Sequence, residues 1–145
     1  MKLMIVDDSE IISIRLKELL QGIENLEISA VVEDGVQAIA QFSLLNPEIL
    51  ILDLMIPRMN GLDVLRSVRS LSKKAIIIVL TNYHQSYFRD RCTDLGANYF
   101  LDKSADFEKV YQICSNTLHP QKANNTDHLL LQKNVNSGSK QINAG

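Results

Sequence analysis

Ile49-Leu50-Ile51-Leu52-Asp53-Leu54-Met55-Ile56-Pro57-Arg58-Met59-Asn60-Gly61 decides how this chain folds. It opens with four branched apolar residues that show no alternation, the pattern of a short strand covered on both faces. A carboxylate, Asp53, follows the run directly. Pro57 and Asn60-Gly61 are turn residues. Right after them a new apolar spacing begins at Leu62, Leu65, Val68 and Leu71, and it predicts a helix. Strand, acid, turn and helix together make one unit of a parallel sheet.

The same unit recurs on both sides. Apolar runs at Lys2–Val6, Glu27–Val32, Ile49–Leu52, 75–80 and 98–101 predict five strands. Helical spacing falls between them. Ile11, Ile14, Leu16, Leu19 and Leu20 give the first helix, with Asp8 or Ser9 as its cap. Val36, Ile39, Ala40 and Leu44 give the second, ended by Asn46-Pro47. Asn60-Gly61 opens the third. A fourth runs over about 84–95 and ends at Gly96 as a left-handed cap. Phe107, Val110, Tyr111, Cys114 and Leu118 give the fifth, with Ser104 as its expected cap. Strict strand–helix alternation implies right-handed crossovers and an α/β fold, a doubly wound parallel sheet of five strands.

With 145 residues the chain has room for one domain and an appendage, not for two full domains. A hydrophobic share of 46% with 22% charged residues excludes a disordered or collagen-like chain. A net charge of −2 exerts no overall pull on nucleic acid or an anionic membrane. Cys92 and Cys114 lie far apart, lack metal-ligand spacing and read as buried, reduced thiols of a cytoplasmic protein. The first eight residues turn acidic too soon for a signal peptide, and no apolar run is long enough to span a bilayer. Composition shifts at His119-Pro120, so the domain is expected over residues 1–119. Residues 120–145 are rich in Asn and Ser and cannot bury enough apolar surface to offset their ordering entropy; a flexible polar tail is expected. Leu129-Leu130-Leu131 interrupts it, either as a fluctuating helical turn or as a docking segment.

In such a sheet, ligands bind outside the carboxyl ends of the strands. Asp7 and Asp8 follow the first strand, Asp53 the third, Thr81 the fourth, and Lys103 the fifth at one residue's remove. Taken singly, each has a plain structural reading. Asp8 can cap a helix, Asp7 can be a solvated loop acid, Asp53 can open a turn, Thr81 can end a strand and Lys103 can be a surface lysine. Five such placements on one edge weaken all the plain readings together. Three carboxylates in one place repel one another unless a cation sits among them. Hard oxygen donors with room for water and phosphate suit Mg²⁺. Phosphoryl transfer needs that neutralisation plus donors for the phosphoryl oxygens, which a lysine and a threonine supply. A carboxylate can itself be the nucleophile, giving an aspartyl phosphate.

Val6-Asp7-Asp8-Ser9, the segment from Leu52 to Gly61, Leu80-Thr81 and Lys103 resemble the response-regulator receiver domain of two-component signalling. The resemblance covers residues 1–119, is closest in kind to single-domain, chemotaxis-regulator-like members, and leaves the tail without a counterpart. It implies a flavodoxin-like strand order 2-1-3-4-5 with five helices. It implies that Asp53 accepts a phosphoryl group from a sensor histidine kinase or a histidine phosphotransfer protein. Asp8 and Asp53 would ligate Mg²⁺ directly, Asp7 through water, with the Met55 carbonyl as a further ligand. Thr81 and Lys103 would bond the phosphoryl oxygens, and Phe100 would be the switch aromatic that turns inward when Thr81 moves. Two positions depart from the family pattern: Asn82 stands where a small residue is common, and Ser104 where proline is frequent.

Two other functions fit the architecture less well. A haloacid-dehalogenase-type phosphatase needs a second acid two residues after its nucleophilic aspartate, and that position is Met55. A flavodoxin-like cofactor binder needs a glycine- and hydroxyl-rich phosphate loop where Asp7-Asp8 stand. The resemblance implies no enzyme beyond self-phosphorylation and self-dephosphorylation. The latter is expected to be slow, because apolar Met55 and Tyr83 border the water's approach. His84 reads as a surface histidine. The tail sets Lys122, Lys133 and Lys140 against Asp127 and lacks the length for a helix-turn-helix, so direct nucleic-acid binding is not expected. Output is expected by contact with a downstream effector protein through the face of the fourth helix, fifth strand and fifth helix, near Tyr83, Tyr87, Phe88, Arg89 and Tyr111. A homodimer through that face is a further expectation.

Overall fold

The computed structural model describes residues 1–120. Five parallel strands, β1 (Lys2–Val6), β2 (Glu27–Val32), β3 (Ile49–Leu52), β4 (Ile76–Thr81) and β5 (Tyr99–Asp102), form one sheet in the order β2-β1-β3-β4-β5. Five helices alternate with them: α1 (Glu10–Leu20), α2 (Gly35–Leu45), α3 (Gly61–Leu71), α4 (Ser86–Asp94) and α5 (Lys109–Leu118). Both strand order and class are as expected from the sequence. Among the described residues no helix is long and apolar enough to cross a membrane. The expected tail, including Leu129–131, lies outside the described residues.

The strands look uniformly apolar because both faces are covered, yet consecutive side chains go to different cores. Met4, Val6, Leu50, Leu52, Ile77, Val79 and Phe100 face α2, α3 and α4, packing with Ala38, Phe42, Val64, Leu65 and Cys92. Leu3, Ile5, Ile49, Ile51, Ile78, Leu80 and Leu101 face α1 and α5, packing with Leu16, Leu20, Phe107, Ile113 and Cys114. Each such residue taken out of water contributes roughly 1.5–3 kcal/mol before entropy is counted. The two cysteines are buried free thiols, and burial pushes both up to about 12, so neither is a reactive thiolate. β2 is an edge strand; its register with β1 slips so that Met4 pairs with Ala30, leaving Ser29 as a bulge.

Local chemistry sets the helix ends. Ser9, not Asp8, caps α1: its hydroxyl accepts from the Ile12 N–H at 3.3 Å. Asp34 caps α2, accepting from the Gln37 N–H at 2.8 Å. Asn46 ends α2 where the sequence predicts, before Pro47, but in the left-handed region at φ 47, and Gly96 follows α4 at φ 102, the left-handed cap the sequence predicts. The expected Ser104 cap of the last helix is incorrect. The Asp102 carboxylate accepts from the Ser104 N–H at 2.7 Å, and Asp106 accepts back from the Asp102 N–H at 3.0 Å. This turn occupies residues 104–108 and delays α5 to Lys109, behind Glu108.

Candidate functional site

The carboxyl ends of β1, β3, β4 and β5 meet at one edge. Asp7 follows β1 and is 3% exposed; Asp53 follows β3 and is 5% exposed. Backbone bonds fix the two acids: the Asp53 N–H donates to the Val6 carbonyl at 2.9 Å and the Asp7 N–H to Val32 at 3.0 Å. Carboxylate oxygens of Asp7, Asp8 and Asp53 all lie within 4.8 Å of one another, with Asp8 the exposed member. Lys103 reaches in from the far side. Its Nζ stands 2.7 Å from Asp7 Oδ2 and 2.8 Å from Asp53 Oδ2, and the residue is 8% exposed. The Lys103 N–H bonds the Thr81 carbonyl at 3.0 Å, which ties the lysine to the end of β4.

Electrostatics follow from this geometry. Burial raises the Asp7 carboxyl and the neighbouring Asp53 charge adds to the rise; the Lys103 ammonium and the Ser9 N–H, 2.8 Å away, oppose it without cancelling it. Burial alone would lower Lys103, but hydrogen bonds and charge from Asp53 and Asp7 outweigh it, and its ammonium is held above the ordinary range. Three carboxylates against one ammonium leave two negative charges. Hard oxygen donors at this spacing, two buried and one open to solvent, fit a divalent cation such as Mg²⁺. The remaining Asp53 oxygen accepts from the Met55 N–H at 3.3 Å, so the Met55 backbone adjoins the cluster.

Thr81 is buried at the end of β4, its hydroxyl accepting from the Tyr83 N–H at 3.1 Å. Phe100, on the neighbouring strand, is 1% exposed, with the Arg89 guanidinium 5.4 Å from its ring centre. Its ring is therefore already inside, as suits a side chain with no hydroxyl to hold in water. Asn82 is exposed and lines, with Ser9, Arg15, Lys103 and Ser104, an open cleft of about 370 Å³ beside the acids. His84 is a surface residue, 3.7 Å from Asp102. Tyr83, Tyr87 and Tyr111 are exposed, and both Tyr83 and Tyr87 meet Phe88 edge-on.

Sequence reasoning overlooked the supports of this site. Gly61 has no room for a Cβ against the Leu54 backbone, and its N–H bonds the Leu54 carbonyl at 2.9 Å, which closes the loop after Asp53. Asp34 and Gly35, which brace that loop, carried a readable signal, an Asp-Gly turn after a strand.

Comparison with known proteins bears on the family and the fold. The response regulator receiver domain model matches residues 3–115. The DNA-binding transcriptional activator EvgA of Escherichia coli (strain K12) is 32% identical over 111 residues, 76% of this chain and 53% of EvgA. The chain thus spans about half the length of that relative. Protein CcdB of Bacillus subtilis (strain 168) is 27% identical over 117 residues, covering 81% of this chain and 97% of CcdB. Among solved structures, the CheX-CheY-BeF3-Mg+2 complex of Borrelia burgdorferi matches at TM-score 0.72 and 26% identity, over 81% of this chain and 88% of that one. A LuxR-family two-component response regulator from Aurantimonas sp. SI85-9A1 shares the fold at TM-score 0.74 and 24% identity, over 90% and 93% of the two chains. The chain belongs to the response regulator receiver domain family, the phosphorylation-based signalling domains of two-component systems.

Proposed function

We propose that this domain is a switch in which Asp53 accepts a phosphoryl group from a phosphohistidine, on a sensor kinase or a phosphotransfer protein. One observation carries the reading: a buried aspartate at the carboxyl edge of the sheet shares a buried lysine with a second acid, beside an exposed third. An Asp53 carboxylate oxygen attacks phosphorus, the phosphorus–nitrogen bond breaks, and the imidazole leaves with its electron pair and takes up a proton. Asp8, Asp53 and the Met55 carbonyl would hold Mg²⁺ directly and Asp7 through water. Bound there, the ion would neutralise the charge on the transferring group's oxygens. The Borrelia burgdorferi CheY structure, solved with BeF3 and Mg, supports that assignment.

The chain's own side chains supply the rest. Lys103 already sits on Asp53 and needs only to shift its bond from a carboxylate oxygen to a phosphoryl oxygen. The Thr81 hydroxyl turns toward the same group and releases the Tyr83 N–H, so the loop entering α4 moves. Phe100 is already packed inside, so the inward turn expected of it does not accompany that movement. The change is read by a downstream effector, or by a second copy of the chain, at the exposed tyrosines around α4, β5 and α5. The test is labelling with acetyl phosphate in Mg²⁺, followed by peptide mass spectrometry. A phosphoryl group on Asp53, lost in Asp53→Asn, is expected; label on His84 or Ser9 would overturn the reading.

A further inference from the structure

Arg58 stands in the left-handed region at φ 72, where a residue with a Cβ is strained. The Met59 N–H bonds the Pro57 carbonyl at 2.9 Å, so Arg58 is the centre of a γ-turn of the rare, positive-φ kind. Such a conformation persists only where its surroundings impose it. Here the surroundings are the turn between β2 and α2. The Gly35 N–H donates to the same Pro57 carbonyl at 3.1 Å. Arg58 Nη1 lies 3.8 Å from Asp34 Oδ2. A Cβ on Gly35 would stand 2.6 Å from both the Cβ and the carbonyl oxygen of Met59, so the two turns are in direct contact. Asp34 is itself buried and anchored, because its other oxygen caps α2.

From these contacts we infer that Asp34, Gly35 and Arg58 are positioning residues that hold the loop between β3 and α3 in its cation-binding shape. The loop starts at Asp53, whose carboxylate accepts from the Met55 N–H, and it closes where Gly61 bonds Leu54. Between those two fixed ends Ile56 and Met59 rest on the core, and the β2–α2 turn holds Pro57, Arg58 and Met59 through a hydrogen bond, an ion pair and direct contact. Donor groups bind a cation well when their supports lock them beforehand. Releasing the turn lets Met55 and its carbonyl wander and weakens the site without touching any ligand. The inference rests on the proposed cation reading, in which that carbonyl is a ligand.

A purely structural role predicts a different outcome from a positioning role, and Arg58→Gly separates them. Glycine adopts positive φ freely, so the variant relieves strain and should melt within a few degrees of the parent. Asp34→Asn keeps an oxygen that can cap α2 and removes only the charge facing Arg58. Both variants and Gly35→Ala are titrated with Mg²⁺ alone, as full chains, well below their melting temperatures. Arg58→Gly and Asp34→Asn are each expected to bind on the order of fivefold more weakly, the weight of the one exposed ion pair they remove, and Gly35→Ala, which forces a Cβ against Met59, more weakly still. If Gly35→Ala fails to fold, the other two variants decide. Asp8→Asn marks the site itself. Loss of binding in Asp8→Asn with parent-like binding in Arg58→Gly and Asp34→Asn overturns the clamp alone. Parent-like binding in Asp8→Asn, or none in the parent, overturns the cation reading and the clamp with it.

Discussion

The two edges of the sheet each enclose a cation, and they use it in opposite ways. At the carboxyl edge, Lys103 is held between two carboxylates, Asp7 and Asp53, at 2.7 and 2.8 Å. At the amino edge, Arg69 is held by neutral oxygens. Its Nε and Nη2 reach the Gly96 carbonyl at 3.1 and 2.7 Å, its Nη1 reaches Ser72 and Ala75 at 3.1 and 2.9 Å, and its Nη2 reaches Asn98 Oδ1 at 2.9 Å. The same Asn98 oxygen accepts from the Ile77 N–H at 2.8 Å, so Arg69 ties α3 to β4, the end of α4 and the start of β5. Backbone carbonyls do not titrate and cannot be phosphorylated, so the Arg69 arrangement has one state. Carboxylates can be protonated, bind metal or form an acyl phosphate, so the Lys103 arrangement has several. A receiver needs both: a fixed end against which the other end can change.

Removing Arg69 should have the largest effect on stability. Arg69→Met strands three backbone carbonyls on two connections, α3–β4 and α4–β5, and is expected to cost about 3 kcal/mol, given ~1.5–3 for one hydrogen bond to a charged group and imperfect additivity. For a domain of this size that lowers the melting temperature by roughly 10 °C. Where the variant remains folded, Asp53 labelling should proceed at the parent rate. A variant that melts like the parent would erase the contrast between the edges. One that is stable yet labels poorly would move Arg69 into the signalling machinery.

Lys103→Met should cost less, although Lys103 is the more deeply buried cation. Breaking a sealed ion pair usually costs ~3–5 kcal/mol because a charge is left uncompensated. Here the stranded acids have ways out. Asp7 is already raised by burial and by Asp53, and Asp8 keeps the cluster open to solvent and cations. About 1–2 kcal/mol is expected without divalent ions, less than the sealed-pair cost. Mg²⁺ should then stabilise Lys103→Met more than the parent, because three carboxylates face the ion without an ammonium among them. Melting curves with and without Mg²⁺ check this. An equal Mg²⁺ response in the two proteins would show that Lys103 and the cation do not share the site.

The two edges also differed in how far the sequence disclosed them. Asp7, Asp8, Asp53, Thr81 and Lys103 were legible because strand ends are legible: each follows an apolar run, and parallel topology brings those ends together. The Lys103 bridge to Asp7 was not, since spacing places residues on an edge but does not show which pairs touch. Arg69 and Asn98 were missed because their partners are mostly backbone carbonyls, which leave no mark in a sequence. Uniformly apolar strands such as Ile49–Leu52 announced two covered faces without saying which residue faces which core. Ser104 misled as a helix cap because Asp102 captured its N–H first, a competition between neighbours decided by geometry.

The smallest expected effect is the one that separates the two cations by chemistry alone. Asp53 and Asp7 raise the Lys103 ammonium above its ordinary 10.5, against the opposing pull of burial. A group whose folded value is raised adds stability that is present in full below the unfolded value. That stability is lost as pH rises through the folded one. The Lys103 contribution should therefore persist up to about pH 10.5 and fade above it. Arg69 is lowered by burial, but a guanidinium keeps its proton throughout the range in which a protein can be melted. Tyr99, raised by burial, loses stability in the same alkaline window, but it does so equally in every variant and drops out of the differences. The measurement is unfolding free energy from about pH 8 to about pH 11.5, without divalent ions, for the parent, Lys103→Met and Arg69→Met. The gap between parent and Lys103→Met should shrink across the upper part of that range, while the gap to Arg69→Met stays level. A Lys103 gap that stays level would mean that the carboxylates do not hold the ammonium. An Arg69 gap that closes would mean that the amino edge depends on an ionisable partner after all.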